Sequence, residues 1–295
     1  MDDSNSPRPL VSIGMPVYNG EKFLRPALDS LLVQDYSNFE LNISDNASID
    51  GTATICECYC ARDQRIHYYR NPTNLGMLAN WGRVFELASS DLFMWAACDD
   101  CWSPNYLQTL VECLLANPQA TLAAGRTCFI DVNGKLYAGH HNAPAREADG
   151  NLGPPKQLLQ QHAVNWLHGV YRKGAVAKFL PTFFTGYSWG SDAVLLLEIC
   201  LATEVVGSNE AIMYKRLEGH RSGHTARQQV KWQWWFTRAL LRPILWSSIP
   251  LSQKADLLQT CALYLKQFFC PGGLRPWVRL WVKAGYYSLI GIDLP

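Results

Sequence analysis

Two adjacent aspartates, Asp99 and Asp100, stand where the apolar run Phe93, Met94, Trp95, Ala96 and Ala97 gives way to Cys101, Trp102, Ser103 and Pro104. Like charges at neighbouring positions repel and raise one another's pKa, so the pair is costly unless something positive meets it. A divalent cation with oxygen ligands removes that cost, and a metal that keeps open positions also holds substrate phosphates. The competing reading is a solvated turn whose aspartates cap the following helix. Asp45 closes a second apolar stretch over 39–45, and Asp192 follows Gly190-Ser191 ahead of another apolar segment. Each of these also reads as an ordinary helix cap, because helix N-termini favour aspartate. A basic loop, Leu217-Glu218-Gly219-His220-Arg221-Ser222-Gly223, has side chains suited to phosphate.

These groups need a scaffold, and the apolar spacing supplies one. Residues 10–15, 39–45, 66–69 and 93–97 read as buried strands. Between them, apolar side chains recur at helical spacing, as in Phe23, Leu24, Ala27, Leu28, Leu31 and Leu32, where Pro26 is expected to kink the helix. A helix runs from the turn at residues 46–52 to about Ala61, another spans 77–87, and a third carries Tyr106, Leu107, Leu110, Val111, Leu114 and Leu115, with Ser103-Pro104 as its cap and first position. Alternating strand and helix over 10–117 predicts an α/β fold, a mostly parallel sheet with helices on both faces. Such sheets bind ligands outside the carboxyl ends of their strands, where Asp45 and Asp99-Asp100 fall. Beyond Pro118, residues 122–125 and 128–130 read as separate strands, Asn133-Gly134 as a hairpin turn, 140–155 as a long loop, and 211–216 as a last strand. A helix follows Asp192, and His140-His141, with no third ligand, reads as solvated.

Composition bounds the class. The chain has 295 residues, is 48% hydrophobic and 17% charged, and carries a net charge of +1, which gives no general case for nucleic acid. The acidic, polar start (MDDSNSPRPL) is not a secretory signal, and no run of 18 uncharged apolar residues predicts a membrane span. Ten cysteines without a leader read as reduced thiols in a cytoplasmic protein. The pair Cys98 and Cys101 has a CxxC spacing without a second pair, a weak case for zinc or redox chemistry. No G-x-G-x-x-G follows the first strand, which argues against a nicotinamide enzyme.

Four motifs in register carry a resemblance: Val11-Ser12-Ile13-Gly14-Met15-Pro16-Val17-Tyr18-Asn19, Ser44-Asp45-Asn46-Ala47-Ser48-Ile49-Asp50-Gly51-Thr52, Asn74-Leu75-Gly76, and Asp99-Asp100-Cys101-Trp102-Ser103-Pro104. In order and spacing they resemble the family 2 glycosyltransferases of GT-A fold over about the first 115 residues, and more loosely to about residue 223. The resemblance implies inverting, metal-dependent transfer of a sugar from a nucleotide-diphosphate donor to a glycan, polysaccharide or lipid-linked hydroxyl. By that likeness Pro16, Tyr18 and Glu21 line the nucleotide pocket and Asp45 hydrogen-bonds the base. Asp99 and Asp100 stand for the DxD motif, with Asp99 also at the nucleotide and Asp100 the expected direct ligand of Mg2+ or Mn2+. Asp192 matches the catalytic base, and His220 and Arg221 match the loop that closes over the diphosphate. The sequence departs from the family pattern at Ala97, where many members carry an aspartate. A nucleotide-sugar-binding module of the same fold without turnover is the alternative that Ala97 favours. The chemistry suits the residue types: an acceptor hydroxyl needs a carboxylate base, and a departing diphosphate needs cations.

The expected organisation is a flexible N-terminus over 1–9, a glycosyltransferase domain over 10–225, and a helical extension over 226–295. From Val230 onward eight Lys/Arg face only Asp256 and Asp293, a surplus of +6 against −5 for the rest. Residues 226–295 also hold six of the eleven tryptophans. Helices are expected over 230–246, 257–269 and 277–290. Aromatic and basic residues mixed on helices predict peripheral contact with the inner face of the plasma membrane, or pairing with a second copy; the competing expectation is that the tryptophans pack on the catalytic domain.

Overall fold

In the computed structural model, residues 8–142, 153–161, 163–185, 190–217 and 226–269 are described. The N-terminal half follows its apolar spacing: β1 (Val11–Val17), α1 (Leu24–Leu32), β2 (Phe39–Asp45), α2 (Thr52–Cys60), β3 (Ile66–Arg70), α3 (Met77–Leu87) and β4 (Leu92–Trp95). β1 lies between β2 and β4, and β3 extends the sheet, every pairing parallel. Pro26 is the third residue of α1, inside the first turn, where backbone N–H groups lack intrahelical partners; the sequence's expected kink has no cause there.

The second half departs further from expectation. Cys101–Trp102 form a two-residue strand, β5, and the next helix, α4, begins only at Tyr106 (Tyr106–Ala116). Ser103 is not its cap, because its hydroxyl bonds Asn105 Oδ1 at 2.7 Å and accepts the Ile212 N–H at 3.0 Å. The two short strands expected after Pro118 are one, β6 (Ala120–Ile130), which pairs antiparallel with β7 (Leu136–Asn142) across the turn holding Gly134. His140 and His141 therefore lie in a strand, and α5 (Gly153–Gln161) takes the far end of the expected loop. Then come β8 (Val170–Arg172), α6 (Lys173–Val176), α7 (Leu180–Thr185), α8 (Ser191–Ala202) and β9 (Glu204–Arg216), which starts seven residues before the expected strand. α9 (Ala226–Trp246) and α10 (Leu251–Phe269) complete the described chain; the expected helix over 277–290 lies outside it.

Among the described residues the strand order is β3-β2-β1-β4-β8-β6-β9-β5, with β7 on β6. β8 is antiparallel to both β4 and β6, and β9 is parallel to β6. Two reversals cancel, so β6 and β9 point the same way as β1 to β4, and the carboxyl end of β9 joins theirs. Among the described residues the sheet is mixed: six of its nine strands run the same way, and four of its eight pairings are parallel. Its two faces bury separate apolar clusters. One is built on β1, β2, α1, α2 and α4. The other gathers Trp95, Trp166, Tyr171 and α8 together with Phe236, Leu240 and Ile244 of α9 and Leu257, Cys261 and Tyr264 of α10. Trp232 and Trp235 pack against this second cluster, so these tryptophans of the C-terminal helices serve the core of the sheet.

Candidate functional site

Loops leaving β1, β2 and β3 are tied together by their own polar side chains. Asn19 N–H donates to Ser48 Oγ at 2.9 Å, the Ile49 N–H donates to Asn19 Oδ1 at 2.9 Å, and the Gly51 N–H donates to Glu21 Oε2 at 2.9 Å. Asn19 and Ala47 hold positive φ angles of 52° and 61°, a left-handed backbone that this clasp imposes on non-glycine residues. Asn46 reaches Asn74 Oδ1 at 2.7 Å, and Asn71 reaches Asn46 Oδ1 at 3.1 Å and Asn80 Oδ1 at 3.0 Å. Pro16 is buried in β1, while Tyr18 is 48% exposed and Glu21 is exposed at the rim. Asp45 is fully buried: Oδ1 accepts the Ser48 N–H at 2.8 Å, Oδ2 accepts the Tyr68 hydroxyl at 2.7 Å, and Arg70 stands 3.8 Å away.

Beyond the end of β4, Ala97 is buried and Asp99 half-buried. Asp100 turns inward. It is wholly buried, its Oδ1 accepts the Arg216 backbone N–H at 2.8 Å, and its Oδ2 accepts a bond from Lys215 Nζ at 3.0 Å. Arg216 fastens the turn from the other side: Nε donates to the Asp99 carbonyl at 2.9 Å, Nη1 donates to the Asp131 carbonyl at 2.9 Å, and the guanidinium lies 4.6 Å from the Phe23 ring centroid. Lys215 and Arg216 are the end of β9, and the sequence had not tied them to the aspartates.

Charges converge on Lys215. Burial pulls its pKa down, but Asp100 and Asp99, the Asp100 hydrogen bond and Asp192 together hold it above the usual lysine value. Burial raises Asp99, Asp100 raises it further, and Lys215 opposes both. Asp192 is likewise raised by burial, against the Ala193 N–H on its Oδ1 at 2.8 Å and the field of Lys215. Asp192 occupies the first turn of α8, whose N-cap Gly190 has φ +85°, a backbone that glycine enters without a Cβ penalty. Lys215 thus contacts Asp100, and its charge is also felt by Asp99 and Asp192, which the sequence singled out separately. Pro16 and Asp45 lie at the carboxyl ends of β1 and β2, and Tyr18 and Glu21 on the loop that follows β1, at the same sheet edge. His220 and Arg221 lie outside the described residues.

His168 completes the setting and was not foreseen. Its Nδ1 is 3.0 Å from the Trp95 carbonyl, which can only accept, so Nδ1 carries the proton and Nε2 is the bare nitrogen. Burial, then the charge of Lys215, lowers its pKa to about 3, so the ring is neutral. Trp81 packs against it edge-on at 5.9 Å, and Trp95 is wedged among Phe93, Phe85 and Tyr171 at 4.6, 5.6 and 5.3 Å. These rings fix where β4 delivers its aspartates. Trp102 is buried in the opposite core cluster, beneath the aspartate turn. Cys98 and Cys101 are free thiols.

The edge therefore offers a carboxylate turn, a buried aspartate at a helix start and a cation at the strand ends, beside a clasp of small polar loops. The sequence profile described as Glycosyl transferase family 2 matches residues 12–179, more than half of the chain. A glycosyltransferase of Rickettsia typhi is 34% identical over 233 residues, covering 77% of this chain and 70% of that protein. A glycosyltransferase of Haemophilus influenzae is 32% identical over 126 residues, covering 43% of this chain and 50% of that one. Among solved structures, S. aureus TarS residues 1–349 in complex with UDP-GlcNAc superposes with a TM-score of 0.69 at 17% identity, over 90% of this chain and 74% of that one. A mannosyltransferase of Pyrobaculum calidifontis in complex with GDP-Man and Mn2+ superposes with a TM-score of 0.54 at 15% identity, over 96% and 81%. With the sheet order, the strand-end carboxylates and these likenesses together, the chain belongs to the family 2 glycosyltransferases and has their GT-A fold.

Proposed function

We propose that this chain transfers a sugar, with inversion, from a nucleoside-diphosphate donor to a hydroxyl of a glycan, polysaccharide or lipid-linked acceptor. The observation that carries this reading is the buried Asp100–Lys215 pair beside Asp99 at the carboxyl edge of the sheet, with Asp192 within the field of the same lysine. The relatives in complex with UDP-GlcNAc and GDP-Man support a nucleotide-sugar donor by fold likeness. Pro16, Tyr18 and Glu21 would border the nucleotide. Asp45 would meet the base by giving up the Tyr68 or Ser48 bond.

Asp192 would accept the proton of the attacking hydroxyl. A carboxyl whose pKa is raised by burial is a better proton acceptor than a solvated one, provided it is ionised at the working pH, and Lys215 helps keep it so. One displacement at the anomeric carbon inverts it without a covalent intermediate. His220 and Arg221, by residue type, would meet the diphosphate.

Mg2+ or Mn2+ fits this site in a particular way. Among the described residues no group of three or more His, Cys, Asp or Glu is gathered to hold a cation. Both Asp100 oxygens are committed to Lys215 and Arg216, so Asp99 is the carboxylate that would hold the metal, with donor phosphate oxygens and water completing the shell. Once bound, the ion would offset charge gathering on the leaving diphosphate. Asp100 would act behind it, by fixing the turn.

The experiment is hydrolysis and transfer by the purified protein with a panel of nucleotide sugars, with and without chelator. Turnover of one donor that Asp192→Asn abolishes supports the reading. Binding of a nucleotide with no turnover of any donor would favour the binding module that Ala97 allows.

A further inference from the structure

α9 and α10 form a hairpin whose inner faces belong to the core; at its tip Ile249 packs on the core, but the neighbouring apolar side chains do not. Leu245 is 48% exposed, Trp246 78% and Leu251 83%, three large apolar side chains within seven residues at the turn. Lys254 bends back to the same turn, with its Nζ donating to the Leu245 carbonyl at 2.9 Å, so an ammonium sits beside the exposed side chains. From 232 to 266 the hairpin carries Arg238, Arg242, Lys254 and Lys266 against Asp256 alone, and Asp256 is already paired with Lys156 at 2.7 Å. Arg238, Arg242 and Lys266 are exposed.

We infer that the α9–α10 tip docks on an anionic lipid surface, with Trp246 and Leu251 entering the headgroup boundary and Arg242 and Lys254 meeting lipid phosphates. A tryptophan flanked by aliphatic and basic side chains is suited to that boundary, where the ring is half-buried and the cations face negative headgroups. Among the described residues no helix is long and apolar enough to cross a membrane, so this is contact at the surface. A second copy of the chain is a poorer occupant. Even at roughly 150–250 Å² for the ring, three side chains at a turn fall short of the ~800 Å² per partner that a stable pair buries. The tip also stands near the chemistry: Phe236 of α9 touches Gly190 at the start of α8, and Trp246 lies ten residues further on, about 15 Å along the helix. Seating the tip on a membrane would bring a lipid-linked acceptor to the height of Asp192. That last consequence rests on the proposed transferase reading; the docking itself does not.

The full chain, the double variant Trp246→Ser/Leu251→Ser and the charge variant Arg242→Gln/Lys254→Gln are each sedimented with anionic and with neutral phospholipid vesicles. Donor hydrolysis and oligomeric state by light scattering are measured on the same preparations. The inference expects binding to anionic vesicles that weakens with salt, falls about tenfold or more in the apolar variant, and falls in the charge variant, with donor hydrolysis unchanged. It is overturned if the wild type stays in the supernatant with every vesicle, if both variants bind as the wild type does, or if the apolar variant merely converts a dimer to a monomer. Hydrolysis without vesicle binding sinks the docking alone; vesicle binding without hydrolysis of any donor sinks the transferase reading alone.

Discussion

Phe236 lies so close to Gly190 that a Cβ added to the glycine would meet the Phe236 ring at 2.5 Å. The left-handed φ of +85° excludes side chains at Gly190 on a second ground. One residue of a C-terminal helix thus sits on the turn that launches Asp192. Phe236→Ala should cost about 3–5 kcal/mol, the range for emptying an aromatic site in a core. Gly190→Ala should lower transfer more than it lowers donor binding, because it displaces the start of α8. Urea melting and a comparison of kcat with donor Kd check both. A chain ended before Ala226 should fail to fold, since it strips Leu240, Ile244, Leu257 and Tyr264 from the core.

Asp192→Asn should keep donor binding and the melting temperature near wild type while losing transfer by ~100-fold or more, the scale of removing a general base. If the residue were only a cap, the variant would melt earlier and transfer normally.

The two neighbouring aspartates should separate by phenotype. Asp99→Ala should lose metal-dependent nucleotide binding with an unchanged melt. Asp100→Ala leaves Lys215 facing a buried gap and should cost about 3 kcal/mol or more of stability. Calorimetric nucleotide titration with and without Mn2+, beside thermal melts, distinguishes them.

The acid limb of the pH–rate profile should follow Asp192. Its pKa is raised above 3.8 by burial and pulled back by Lys215. Transfer needs the ionised form, so activity is lost as pH falls through that raised value. Removing the cation in Lys215→Met should move the limb to higher pH, and Lys215→Arg should restore much of it. A limb at the same pH in all three proteins would mean that Lys215 does not act on the base.

Stability should also fall on acidification through His168. The unfolded imidazole takes a proton near pH 6.5, while the buried ring resists until about 3. Between those values the unfolded state binds more protons, so stability present above 6.5 drains away toward 3. In His168→Gln that slope should flatten, as read by urea midpoints at a series of pH values.

The first half of the chain was legible because each element there carries a local signal: an apolar run for a strand, recurring Leu and Ala for a helix, and a carboxylate at the strand end. Asp45, Asp99 and Asp192 could be singled out because charge after an apolar run is conspicuous. Lys215 and His168 could not. A lysine at the end of a strand reads as a solvated terminus until the two reversals around β8 bring β9 beside β6. His168 gains its meaning only from the Trp95 carbonyl, 73 residues away. β5 was hidden for the same reason, since two residues make a strand only when Met213 and Tyr214 arrive to pair with them. In the C-terminal helices, composition gave the aromatic and basic bias, but which tryptophans face the core is decided by α8 and α5.

The threading of β9 also sets a timetable for synthesis. Asp100 and Lys215 are separated by 115 residues. At roughly 5–20 residues per second, the ribosome delivers the lysine roughly 6–23 s after the aspartate. Throughout that interval β6 lacks the strand that will pair along nearly its whole length, and the aspartate turn lacks both of its cations. The nascent chain passes through a stage with an open sheet edge and an unneutralised acidic turn, and it must emerge through Arg216 before either is closed.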